Sequence, residues 1–481
     1  MQRGRFPLAE LPTWCMLNNI TFAGVRVADI EGRGLGLVAE KHLRRENDEL
    51  PALLTIPKEL ILSAATLDGY AKESKDFREL LDAAGRQVEN PAPYWGDILL
   101  FLLAQFILSS PDYKGGLGAS TAWTQYFKLL PTEIPVPTMW SESELSLLRG
   151  TSLEASSYEP AVSAKLIALE REFNRVRDAV TQLQRWNELV GIGGGITLND
   201  WILLDAIYRS RSLALPNSGE SMVPCLDLVN HSSPATAYFE ENAQDEAVLL
   251  LTKGANLLER EELTIDYGHD KSAAEMLFSY GFIDSTSPAK NIVLPVESMD
   301  DDPLAKAKLY VFGSAPNLKI VDSDTGIPRW DAPFVHLMCL NDEDGLCFKV
   351  LQETDGSQHL RMFWQDLDVT EEAENMEIII RGHKLCRIFR LRAITVVLGM
   401  IQRQLEALAT VDEKVILVES ERPHIQQAAS QLKTVEKDLF KRIHQLLEHE
   451  QTELFQDESV TTYLAAMNGT QQDSTDDEDF S

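Results

Sequence analysis

Asn230 and His231 close an apolar segment, Leu226-Asp227-Leu228-Val229-Asn230-His231-Ser232, and Tyr267 closes another, Glu261-Glu262-Leu263-Thr264-Ile265-Asp266-Tyr267-Gly268. An amide and an imidazole held at the end of a buried strand need hydrogen-bond partners, and a purine with its exocyclic amine and ring nitrogens supplies them. The competing reading is a capped turn. His231 has no second His or Cys at ligand spacing and no Ser or Cys elbow nearby, so neither a metal site nor a triad is indicated. Tyr267 is followed by Tyr280 in Phe278-Ser279-Tyr280-Gly281-Phe282. Each tyrosine alone reads as a core ring with its hydroxyl on a carbonyl. The two together can form a narrow aromatic channel with a polar tip, suited to lysine, whose apolar stem needs lining and whose amine needs aiming. Near the N-terminus, Gly32-Arg33-Gly34-Leu35-Gly36 is a glycine turn that allows backbone to approach a ligand closely, or else a plain hairpin. It lacks the third glycine that would open a helix in a dinucleotide fingerprint.

The elements that position these residues follow from pattern. Residues 20–60 read as short strands, and residues 223–229, 247–252 and 263–267 as further strands. Between them, from about 60 to 200, the period is helical. Asp97 is a candidate cap for a buried helix ending near Leu108, residues 161–190 carry apolar side chains three or four apart, and Thr197 or Asn199 can cap the helix that follows. After Asp284 the pattern shifts, with strand candidates at 291–296 and 346–350 and long amphipathic helices at 393–408 and 426–455. The fold class expected is α+β: a β-rich domain over 20–285 with a helical insertion, a mainly α-helical domain over 290–465, and a disordered acidic tail over 466–481.

The three motifs, in this order, resemble the signature of SET-domain methyltransferases. Residues 20–285 are similar to the SET domain of the Rubisco large-subunit methyltransferase class, and residues 290–465 to its helical substrate-binding domain. Arg209-Ser210-Arg211, the long insertion, the Ser-Tyr-Gly-Phe run and the lack of a cysteine-rich segment after the SET domain favour that class over histone-type enzymes. The resemblance implies S-adenosylmethionine as cofactor, with no metal. Arg33, Gly34, Leu35 and Gly36 would lie against it, Asn230 and His231 would hold its adenine end, and Arg211 would face its carboxylate or the substrate. Asp227, Tyr238 and Tyr280 would line a lysine pocket, with Tyr267 catalytic. Histone-lysine or protein-histidine methylation and a non-catalytic peptide-binding module are the alternatives.

Composition bounds the partners. The 481 residues suggest two or three units, and 44% of them are hydrophobic. A net charge of −31 opposes direct nucleic-acid binding and favours a basic partner; with the resemblance, which implies a non-histone protein substrate, the expectation is a ribosomal protein or translation factor in the first place. Five scattered cysteines indicate no disulfide framework, and the longest apolar run, 98–108, is too short for a membrane span. A monomer in the cytoplasm or nucleus is the expectation.

Overall fold

The computed structural model describes residues 3–45, 52–85, 95–113, 115, 121–155, 160–191, 195–284, 291–299, 301–323, 326–352, 357–412 and 422–475. The chain divides into two compact units. The first comprises Met1–Ser141, Ala161–Lys271 and Glu275–Pro288; the second comprises Glu142–Pro160, Ser272–Ala274 and Ala289–Ser481.

In the first unit, strands β1 (Val25–Ile30) and β2 (Gly34–Ala39) form an antiparallel hairpin in which Ile30 faces Gly34. Gly32 and Gly34 take φ of +74° in the turn, a conformation open to glycine at no steric cost. Strand β4 (Glu262–Ile265) runs antiparallel to β2, with Leu263 opposite Leu37, and parallel to β3 (Asn230–His231), with Ile265 opposite His231. Leu37, Ala39, Leu263 and Ile265 are buried in the core on which this sheet sits. A second sheet pairs Thr21–Phe22, Leu54–Ile56, Ala247–Leu251 and Ala237–Glu241 in that order.

The segment 223–229 is not a strand. Its buried apolar residues bond locally, Asp227 N–H to the Val223 carbonyl and Val229 N–H to that of Leu226, as a tight turn over Leu226–Leu228. A short apolar run cannot reveal whether its backbone partners are local or across a sheet. Asn230 and His231 are therefore the strand itself.

The insertion is helical, as its period indicates. A capping box from Thr197 and Asp200 starts Leu198–Arg211. The helix Trp95–Ser109 begins before Asp97, so this carboxylate lies buried in the first turn and is not its cap. The 161–190 helix breaks into Ala161–Thr181 and Gln184–Val190. Among the described residues no helix is long and apolar enough to cross a membrane.

The second unit has its own core. The strand candidates near 291 and 346 are edge members of two three-stranded antiparallel sheets, Asn291–Pro295, Asn317–Val321, Arg329–Asp331 and Leu346–Gln352, Gln358–Trp364, Leu367–Asp368. Beside them lie the helices Cys386–Asp412, Pro423–Gln456 and Glu458–Thr475. The last helix continues to Thr475, into the stretch read as a disordered tail; residues 476–481 lie outside the described residues.

Within this unit Glu436, on the Pro423–Gln456 helix, is almost wholly buried and accepts from Ser152 N–H at 2.8 Å. Burial pushes its carboxyl from the ordinary 4.5 up to about 7, against the pull of the Ser152 bonds. The folded state thus holds this proton more tightly than the unfolded chain, so the contribution of Glu436 to stability is fully present below 4.5 and is lost as pH rises from 4.5 to 7. Denaturant unfolding of the full chain should show Glu436→Gln gaining on the parent between pH 5 and 7.5, by roughly 3 kcal/mol at most. Parallel pH curves for the two proteins would mean that this carboxyl is not shifted.

Candidate active site

The hairpin and the two short strands converge on one carboxylate. Glu262, at the start of β4, accepts from Asn230 Nδ2 at 2.7 Å and from Arg33 Nη1 at 2.6 Å. Arg33 also donates to the His231 carbonyl, and Asn230 Nδ2 reaches the Leu35 carbonyl at 3.4 Å. These bonds tie β2, β3 and β4 together at the turn. Gly36 makes the approach possible, because a Cβ there would lie 2.9 Å from both Asn230 Nδ2 and Glu262 Oε1 and 2.8 Å from Ile30 Cγ1. Gly36→Ala is expected to displace Asn230 and cost about 1–3 kcal/mol. A variant as stable as the parent, with unchanged ligand affinity in calorimetry, would show that the sheet yields easily here.

Tyr267 follows β4 directly. Its backbone N–H donates to His231 Nδ1 at 3.1 Å and its hydroxyl donates to the Val229 carbonyl at 2.8 Å. His231 Nε2 lies 3.0 Å from Asp284 Oδ2. The Tyr267 and Tyr280 rings are 4.7 Å apart between centroids, and Phe282 lies within 6.4 Å of Tyr267 and 6.0 Å of His231. Burial pushes the Tyr267 phenol well above its ordinary value. It is a neutral hydroxyl at physiological pH.

The third group hangs from the tight turn. Arg211, ending the Leu198–Arg211 helix, donates to the Asp227 carbonyl at 2.9 Å and to its Oδ2 at 3.1 Å. Tyr126 donates its hydroxyl to Asp227 Oδ1 and accepts from Cys225 N–H at 2.8 Å. Asp227 is buried; desolvation raises its carboxyl, and Arg211 with Tyr126 opposes that rise. Arg211 Nε is a buried donor with no partner among the described residues. Arg209, by contrast, is held by Asp205, Thr138 and the Phe278 carbonyl and is structural.

Two cavities meet at these residues. The larger, about 860 Å³, is lined by Arg33, Gly34, Leu35, Asn230, His231 and Phe282 among others; the smaller, about 520 Å³, by Phe239, Ile265, Asp266, Lys271 and others. Arg211, Asp227, Tyr267 and Tyr280 line both. Gly36 stands just behind the first wall. Of the predicted residues, Gly36 and Tyr238 do not line either cavity, and Tyr238 lies away from both. It accepts from Arg45 at 3.3 Å, under that guanidinium, while its neighbour Phe239 takes the lining position. Side chains alternate along Ala237–Glu241, so the two residues face opposite ways. Sequence reasoning also missed Glu262, Asp284 and Lys271. Glu262 and Lys271 sit within or beside the tyrosine motif, and that proximity is the signal that could have found them.

Two open cavities joined through a tyrosine pair, with the glycine turn and the Asn-His strand on one side, characterise the site. The chain has the fold of the Rubisco LSMT SET structures and is similar in sequence to SET-domain proteins. The solved SET domain of LSMT bound to methyl-lysine and AdoHcy matches it with a TM-score of 0.67 at 21% identity, over 94% of each chain. By sequence the chain is 29% identical over 311 residues to SET domain-containing protein 8 of Schizosaccharomyces pombe, covering 64% of this chain and 66% of that one. It is 26% identical over 372 residues to the chloroplastic Rubisco large subunit N-methyltransferase of Pisum sativum, covering 74% and 66%. The chain thus spans about two thirds of the length of these relatives. No family model matches it.

Proposed function

We propose that the chain is an S-adenosylmethionine-dependent protein-lysine N-methyltransferase. The observation that carries this reading is the pair of cavities meeting at Tyr267 and Tyr280, one for a methyl donor and one for an acceptor. The residues present fit the donor. Asn230 spends its amide N–H on Glu262 and Leu35 and keeps its carbonyl oxygen for an exocyclic amine. The buried, unpaired Arg211 Nε suits a carboxylate, and 860 Å³ accommodates a nucleoside with its side chain. When bound, S-adenosylmethionine would supply an electrophilic methyl group for in-line displacement.

The protein's own part is alignment and the exclusion of water. The Tyr267 hydroxyl proton is committed to the Val229 carbonyl, so its oxygen offers lone pairs on its other side. It can accept from an amine N–H and aim the nitrogen lone pair. Because burial keeps the phenol protonated, Tyr267 is no general base, and the acceptor's proton leaves to solvent water. Asn230→Ala should weaken cofactor binding about tenfold, the loss of one buried hydrogen bond; unchanged affinity in calorimetry would take Asn230 out of the site.

The acceptor we favour is a lysine on a basic, non-histone protein, a ribosomal protein or translation factor, reached as a monomer in the cytoplasm or nucleus. Support comes from the charge of −31, which speeds encounter with cationic partners, and from the pea relative, whose name assigns it a non-histone protein. The test is incubation with labelled S-adenosylmethionine and cell extract, followed by mapping of the modified residue. Efficient labelling of free histone tails with no ribosomal or translational target would overturn the substrate class.

A further inference from the structure

Lys271 lines the smaller cavity, and no motif of the sequence accounts for it. Its Nζ donates to the Tyr267 carbonyl and lies 5.6 Å from the centre of the Tyr280 ring. The Tyr280 hydroxyl reaches the same carbonyl at 3.5 Å, so ammonium and phenol converge on one oxygen beside the tyrosine pair. Space is kept for the lysine: a Cβ on Gly268, whose φ is +129°, would lie 2.7 Å from Nζ. The cavity's other charges are largely spoken for. Arg211 is paired with Asp227, and Arg209 with Asp205. Asp266 accepts from Gly268 N–H at 2.8 Å and stands 3.9 Å from His269, and exposed Glu220 accepts from Ser212 at 3.0 Å. Among the described residues the Lys271 ammonium is bonded to a carbonyl and to no carboxylate.

A cation fixed in the wall of a small, partly apolar cavity disfavours a second cation inside it. We propose that Lys271 is a positioning and specificity residue of the acceptor site: its ammonium holds the Tyr267 carbonyl against Tyr280 and biases an incoming amine toward its neutral, nucleophilic form, the proton passing to water. This rests on the acceptor reading of the smaller cavity. The reactive amine must be neutral for its lone pair to attack, so weaker binding of the protonated form is exchanged for a larger reactive fraction near neutral pH.

The test compares the parent protein, Lys271→Gln and Lys271→Arg by calorimetry with two small probes, Nα-acetyl-lysine methylamide and its uncharged isostere Nα-acetyl-norleucine methylamide. At pH 7.5 Lys271→Gln should bind the lysine probe about threefold or more tighter while leaving the norleucine probe unchanged, and Lys271→Arg should behave as the parent. The kcat profile for methylation of the lysine probe, which reports the bound state, should move its acidic limb up by about half a unit or more in Lys271→Gln and return in Lys271→Arg. Equal changes for both probes, or an unmoved limb with a lower plateau, would make Lys271 merely structural and overturn the inference. Failure of the parent to bind either probe would instead sink the acceptor reading, and this inference with it.

Discussion

Tyr267→Phe is expected to lower single-turnover methyl transfer by roughly 100-fold while leaving cofactor affinity within about twofold, because in the proposed function the lost hydroxyl orients the acceptor and makes no ground-state contact that binding requires. The substitution removes the hydroxyl's bond to the Val229 carbonyl at 2.8 Å but leaves the backbone bond to His231, so the ring should stay in place. The ring also keeps its tilted contact with Tyr280, 4.7 Å between centroids, and a large fall in stability is not expected. Turnover equal to the parent's would demote the hydroxyl to a structural anchor. A fall in cofactor affinity matching the fall in rate would place Tyr267 in donor binding and require a different account of the cavity wall.

The second large effect concerns Asp227. Its side chain is 1% exposed and that of Arg211 19%, and the carboxylate also takes the Tyr126 hydroxyl. Asp227→Ala leaves a guanidinium largely buried without its counter-charge, and loss of one partner from such a pair costs on the order of 3–5 kcal/mol. The turn bearing Cys225, with φ of +68°, loses its link through Tyr126 as well. Both cavities share this wall, so activity and cofactor affinity should fall together. A double variant, Arg211→Met with Asp227→Ala, should regain part of the lost stability, since no unpaired charge remains. An Asp227→Ala protein within about 1 kcal/mol of the parent in denaturant unfolding would show that solvent reaches Arg211 freely and that the pair matters little.

The legible part of the site is the part written in contiguous residues. Asn230-His231 and Tyr267 announce themselves because each lies at the end of an apolar segment, and parallel pairing of Ile265 with His231 then brings them together. Tyr238 was beyond reach for a reason of parity. No strand is read around it from the sequence, and one position along a strand turns a side chain to the other face; the cavity received Phe239. Glu262 lies inside the tyrosine motif itself, yet its role depends on Arg33, 229 residues away, and no local pattern carries such a pairing. The 223–229 segment misled because buried apolar residues look alike in a strand and in a tight turn. Helices were easier to read, since Thr197 with Asp200 marks a start that periodicity then extends.

The run Glu142–Pro160 belongs to the second unit although the first unit's sequence surrounds it. Its Glu144 is held by Arg422 at 2.9 Å and its Ser152 by Glu436, and its buried Leu147, Leu148 and Leu153 are apolar surface that needs cover. The polypeptide therefore enters the second unit three times, at Glu142–Pro160, at Ser272–Ala274 and from Ala289 onward. A gene cut near residue 290 would not release an intact catalytic half; it would leave this run stranded, with its greasy side chains and a carboxylate bereft of company. The two halves are stitched together along the message itself, so they cannot be exchanged between relatives as separate cassettes. Recombination that respected this architecture would have to carry residues 142–160 and the C-terminal half as a single inherited block.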